Sequence, residues 1–226
     1  VNFFGFKNIL GTYFVPESIY YNFCFLKTLP KLELFNGFME IIKIGVVANS
    51  KILKMLENYH INPSSKAFFQ IIKIAIFQKK KIVASDFYDR GKRNLLNYGH
   101  TIGHGLEKTE NFLISHGQAI AIGILTESYL LTLSQGLTSL QLARIYKLIN
   151  LYATDLRLLR STTFEKLLDA LVYDKKNSEQ NIYFTQVKNL GKGSLFRQKY
   201  LYTPSQLNLK KSLDWMLKNF KKCSFS

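Results

Sequence analysis

Apolar residues recur at helical spacing along most of this chain, and polar or turn-forming residues punctuate them. The spacing predicts a helix from Glu33 to about Ala48, and further helices over 50–59 and 65–80. From Gln118 to about Ser134 the chain is apolar on nearly every side, the pattern of a buried helix. Its small residues Ala119, Ala121 and Gly123 leave room for a second helix to approach closely. Amphipathic patterns over 138–152 and 163–172, and a last one over about 204–221, extend the series. Strand-like patterns are few. Ile19-Tyr20-Tyr21 reads as a short strand, and Asn181–Thr185 with 195–200 reads as a β-hairpin around Gly191 and Gly193. Gly5, Gly11 and Pro16 interrupt the aromatic-rich first thirty residues, and Thr28-Leu29-Pro30 closes them ahead of the first long helix. The fold class expected is mainly α and multihelical with a short hairpin, and the pattern by itself marks no clear domain boundary.

One stretch breaks the apolar pattern. In Arg93-Asn-Leu-Leu-Asn-Tyr-Gly-His-Thr-Ile-Gly-His-Gly-Leu-Glu107, read as a continuous helix, Arg93, Asn97, His100, His104 and Glu107 fall within roughly 80° of arc. His116 follows nine residues later, so three of the four histidines lie in this span. A solvated face would carry Lys and Glu, and a core face Leu and Ile. A row of Arg, Asn and His suits a metal and an anionic ligand.

Composition narrows the classes. An apolar fraction of 47% excludes a disordered chain. No apolar run reaches the length of a membrane span, no secretory leader is recognisable, and Cys24 and Cys223 have neither metal-site nor disulfide-framework spacing. A cytoplasmic protein without a membrane partner is expected. The net charge of +16 comes from lysines spread along the chain, with Lys79-Lys80-Lys81 the longest run. No recognition motif accompanies it, so nucleic acid is not expected as a partner.

Histidine and carboxylate donors suit Zn²⁺, and three protein ligands leave a position for substrate. His100 and His104, at i and i+4, form one possible pair, although His-Glu-x-x-His is absent. His100 and His116 form another, with His104 towards substrate. Spacing alone leaves both open. Glu40 and Lys43 stand one turn apart, which on spacing alone reads as an ordinary surface salt bridge.

The segments Leu96-Asn-Tyr-Gly-His-Thr-Ile-Gly-His-Gly-Leu-Glu107 and His116-Gly-Gln-Ala-Ile-Ala-Ile-Gly123 closely resemble the signature of the 3-dehydroquinate synthases. Gly5–Asn8, Phe25–Pro30, Gly37–Lys43, Asp86–Arg93 and Asp174-Lys175-Lys176 match the same family in order and spacing. The resemblance implies Glu40, His100 and His116 as ligands of Zn²⁺ or Co²⁺. It implies His104, Asn97, Asn8 and Lys175 or Lys176 around a substrate phosphate, Arg93 and Lys79 near a carboxylate, and Lys43 on ring hydroxyls. Asp89 stands beside the site where the family usually has Glu. Lys7, Phe25, Leu26, Lys27 and Thr28 correspond to part of an NAD-binding surface.

The implied reaction converts 3-deoxy-D-arabino-heptulosonate 7-phosphate to 3-dehydroquinate and phosphate, in a homodimer. The family places a Rossmann-like NAD-binding domain ahead of the matched region, and no Gly-x-Gly-x-x-Gly occurs here, so that domain is an expected partner. The resemblance implies 1–30 as the remnant of its edge and linker and 31–226 as the helical metal- and substrate-binding domain. Another sugar-phosphate cyclase, or a zinc-binding remnant without turnover, are the alternatives. Further departures are Leu32 for Arg, Asn22 for Asp, Phe6 for Gly and Gln118 for Glu.

Overall fold

A computed structural model describes residues 11–12, 14, 16–59, 62, 64–134, 136–153, 155–172, 181–195 and 199–222. Eight α-helices dominate the described residues: α1 Lys31–Val47, α2 Ser50–Glu57, α3 Lys66–Ser85, α4 His100–Thr109, α5 His116–Leu133, α6 Ser139–Tyr152, α7 Phe164–Val172 and α8 Gln206–Phe220. Two 3-10 helices, Phe23–Thr28 and Lys92–Asn97, precede α1 and α4. The helix starts follow local chemistry. Asn49, Ser65, Ser115, Thr138 and Ser205 each accept a backbone N–H of the following turn. At α5 and α6 the cap is reciprocal, with Gln118 and Gln141 bonding back to the capping residue.

α5 is the axis of the fold. It is buried along nearly its whole length, and α1, α4, α6 and α8 pack around it. An apolar helix can be covered on all sides only at the centre of a bundle, as its sequence predicts. The small residues do what their size allows. A Cβ on Gly123 would run into the carbonyl oxygen of Gly99, so α4 and α5 meet backbone to backbone. On the other side of α1, Phe38 stacks on Tyr152 at 4.5 Å between ring centroids, and Phe68 and Tyr59 extend that aromatic cluster.

The mainly α class with a short hairpin is as expected; two local expectations change, and the hairpin gains detail. Ile19-Tyr20-Tyr21 forms no strand; these side chains are exposed, with no neighbouring strand to pair with among the described residues. The hairpin is split in two. β1 Phe184–Thr185 pairs antiparallel with β4 Leu201–Tyr202, and β2 Val187–Asn189 pairs with β3 Lys192–Gly193 around Gly191. Strand pairing is set by non-local register, which alternation does not encode. The polar stretch 93–107 is not one helix either. The 3-10 helix ends at Asn97, Tyr98 leaves the helical region with ψ 126°, and Gly99 takes φ +78° before α4 begins. That left-handed turn costs glycine little and most other residues more. No helix among the described residues is long and apolar enough to cross a membrane.

A carboxylate and two imidazoles on three helices

Three helices each deliver one donor to a common point. α1 supplies Glu40, while His100 and His116 are the first residues of α4 and α5. The turn before His100 is held from below. Glu127, buried in α5, accepts the Gly99 N–H at 2.9 Å and the Ile102 N–H at 3.4 Å. A carboxyl group from another helix thus does for α4 what a local capping side chain does elsewhere. Burial pushes the Glu127 carboxyl up to about 8, against the lowering effect of those N–H groups.

Oε1 of Glu40 lies 3.4 Å from Nε2 of His100 and 3.5 Å from Nε2 of His116, and one donor atom from each residue falls within 4.8 Å of the others. Oε1 is buried and makes no hydrogen bond among the described residues. Ligand distances of about 2.0–2.1 Å in a tetrahedral zinc site put neighbouring donors about 3.4 Å apart. The two Glu40–histidine spacings are those of donors around an ion. The cluster fits a borderline metal such as Zn²⁺ in donor type and in separation.

Both imidazoles are turned by their other nitrogen. Nδ1 of His100 faces the Tyr98 carbonyl at 3.2 Å, and Nδ1 of His116 faces Oε1 of Glu107 at 3.1 Å. Each contact directs Nε2 towards Glu40. Burial would raise the Glu40 carboxyl, but the two histidines and the charge of Lys43 outweigh it and hold it well below the usual carboxylate range. Burial lowers His100, against the pull of Glu40. Glu107, and then Glu40, raise His116 to about 9 against the effect of burial.

Lys43 overturns the surface-pair expectation. Its side chain is only 4% exposed, and Nζ lies 2.7 Å from Oε2 of Glu40, the oxygen that does not face the histidines. Burial lowers its pKa, Glu40 opposes that, and the charge of Lys79 adds to the lowering. Lys79 lies on α3. The His104 ring stands edge-on to His100 at 5.2 Å and lies 6.5 Å from His116.

Arg93 and Asn97 lie on the 3-10 helix that packs against α1 and α3, and not on the helical face of His100. Arg93 donates from Nη1 to the Phe87 carbonyl at 2.6 Å, and its N–H goes to Asp86 at 2.9 Å. Asp86 also accepts from Arg90 and Gly91, closing the loop in which Asp89 sits at φ +58°. Phe25, Leu26, Lys27 and Thr28 form the first 3-10 helix, where Phe25 is 70% exposed. Neighbouring Phe23 stacks on Phe69 of α3 at 5.0 Å. Lys7, Asn8, Lys175 and Lys176 lie outside the described residues.

Two departures from the family pattern have a structural account. Asn22 caps the first 3-10 helix by accepting the Cys24 N–H, and Gln118 completes the capping box of α5, tasks that an acidic residue performs equally. Glu127 and Asn36 carried no signal in the sequence. Glu107 stood on the polar face, but its part in turning His116 depends on a contact across nine residues and a helix break.

A family model described as 3-dehydroquinate synthase C-terminal matches residues 37–177. The chain is 33% identical over 223 residues to a 3-dehydroquinate synthase of Chlamydia pneumoniae, covering 91% of this chain and 58% of that protein. It is 38% identical over 195 residues to one of Dehalococcoides mccartyi, covering 84% of this chain and 54% of that protein. The chain thus spans little more than half the length of these curated relatives. Among solved structures, 2-deoxy-scyllo-inosose synthase complexed with carbaglucose-6-phosphate, NAD+ and Co2+ superposes with a TM-score of 0.78 at 22% identity, covering 93% of this chain and 60% of that one. A 2-epi-5-epi-valiolone synthase from Streptomyces hygroscopicus with NAD+ and Zn2+ bound gives 0.75 at 20%, covering 87% and 54%. At these identities the likeness is one of fold.

Proposed function

This chain belongs to the 3-dehydroquinate synthase family, and on that premise we propose that it is the metal- and substrate-binding portion of such an enzyme. The reaction is conversion of 3-deoxy-D-arabino-heptulosonate 7-phosphate to 3-dehydroquinate and phosphate, a carbon–oxygen bond cleavage with loss of phosphate. The observation that carries the reading is the convergence of Glu40, His100 and His116 from three helices at donor spacing. In this proposal residues 31–226 are the helical domain and 1–30 the edge that joins it to an NAD-binding domain. Phe25–Thr28 and Lys7 would contribute to dinucleotide binding. Cytoplasmic homodimers belong to the same proposal, and sedimentation of the completed enzyme tests the assembly.

Glu40, His100 and His116 would hold the metal. When bound, the ion supplies Lewis-acid polarisation of substrate hydroxyls, and the nicotinamide supplies a reversible hydride acceptor. The chain's own part is positioning. Lys43, fixed by Glu40, presents a buried cation to ring hydroxyls beside the metal. Lys79 and Arg93 bind the carboxylate, Arg93 through its planar fork. His104 and Asn97 bind the phosphate, together with Asn8 and Lys175 or Lys176. Asp89 completes the polar rim. A substrate carrying both carboxylate and phosphate matches this excess of cations, and holding its reactive ends in one geometry is a large part of the work.

The test is phosphate release from the heptulosonate phosphate with NAD⁺ and Zn²⁺, for this chain alone and joined to a family N-terminal domain. Release only in the joined form is expected. Zinc binding without release in either form would favour a non-catalytic remnant. Turnover of a different sugar phosphate in its place would favour another cyclase.

A further inference from the structure

His116 is the most exposed of the three donors, with 40% of its side chain open to solvent, so packing alone does not fix it. The residues on either side of it are fixed by one amide. Oδ1 of Asn36 accepts the Ser115 hydroxyl at 3.0 Å and the Gly117 N–H at 2.9 Å, while its Nδ2 donates to Oε2 of Glu33 at 3.2 Å. The last bond settles which end of the amide faces α5. Ser115 is at the same time the N-cap of α5, accepting the Gln118 N–H at 3.3 Å, so the bracket and the helix start are one network.

The contact leaves no slack. A Cβ on Gly117 would stand 2.5 Å from both Cα and Oδ1 of Asn36, so the backbones of α1 and α5 touch at this point. Asn36 precedes Glu40 by one helical turn, placing both on the same side of α1. Locking Asn36 to 115 and 117 therefore sets how far the start of α5, and the His116 ring, lies from the Glu40 carboxylate.

We infer that Asn36 is a positioning residue for the metal centre: its side-chain amide fixes the α1–α5 crossing at which Glu40 and His116 share an ion. The inference rests on the metal reading proposed above, and goes beyond it by assigning a residue that touches neither metal nor substrate.

The experiment measures the zinc dissociation constant of the 226-residue chain by competition with a chromogenic chelator, and the visible spectrum of its Co²⁺ form. Asn36→Ala should weaken zinc about tenfold or more, the size of effect that outer partners of metal ligands have. It should also diminish the tetrahedral Co²⁺ bands, while the far-ultraviolet dichroism stays that of the parent. Asn36→Asp keeps an oxygen at the bracket and should restore binding close to the parent's. Should Asn36→Ala fail to fold, Asn36→Gln is read in its place, since it moves the acceptor by one methylene and keeps the helix. Parent-like affinity and spectrum in the folded variant would overturn the inference. A parent chain that takes up no zinc would instead overturn the metal reading on which it stands.

Discussion

Oε1 of Glu107 lies 3.1 Å from Nδ1 of His116 and turns the Nε2 of that ring towards Glu40. The pair joins the end of α4 to the start of α5 across the loop between them. It orients a donor without itself reaching the point where the three donors meet.

Replacing Glu107 by Ala frees that ring. Outer partners of metal-bound histidines are worth about ten- to a hundredfold in affinity. Zinc affinity measured by chelator competition should fall within that range, with Glu107→Asp intermediate because its carboxylate is one methylene short. An affinity unchanged by Glu107→Ala would remove the orienting role.

The donors themselves should behave as a set. Glu40→Ala, His100→Ala and His116→Ala are each expected to abolish stoichiometric zinc uptake, whereas His104→Ala should retain it. Zinc should also stabilise the folded chain, by about 2.7 kcal/mol when free metal is a hundred times its dissociation constant. Chemical unfolding of parent and variants with and without zinc checks both points; retention of the ion by His116→Ala would contradict the arrangement.

Glu127 makes the fold pH-sensitive. Its folded-state value is raised to about 8 from an ordinary 4.5, so the folded chain keeps a proton that the unfolded chain has released. Its contribution is therefore lost as pH rises: stability should decline between about pH 4.5 and 8 and level off above. Glu127→Gln, which keeps a carbonyl oxygen for Gly99, should remove that part of the slope. Urea unfolding of the two metal-free proteins across this range measures the difference, and parallel curves would count against the assignment.

Gly123 tests the α4–α5 contact. Gly123→Ala puts a methyl group against the Gly99 carbonyl and should cost about 3 kcal/mol, at the upper end for overpacking. Because His100 directly follows Gly99, zinc affinity should fall along with the unfolding midpoint. A variant of parental stability would show that the helices can part without cost.

Much of this architecture is legible in the chain itself. The helical period placed α1, α2, α3, α5, α6, α7 and α8 to within a few residues, because amphipathic spacing is a local property. The uniform apolarity of 118–134 marked the central helix for the same reason. The set of chemically able side chains was visible too, since Arg, Asn and His at that spacing do not belong to an ordinary core or surface.

Tertiary structure decided the rest. Spacing left His100/His104 and His100/His116 equally open, and only the crossing of α1 and α5 brings His116 to Glu40. The Glu40–Lys43 pair read as a surface bridge because burial is set by what packs over a residue, not by its neighbours in sequence. The turn at Gly99 is held by a carboxyl group twenty-eight residues away, and the placement of His116 by an amide eighty-one residues before Gly117. Periodicity records which side of a helix is apolar. Hydrogen bonds between helices, and the distance at which two backbones can meet, exist only once the chain has folded.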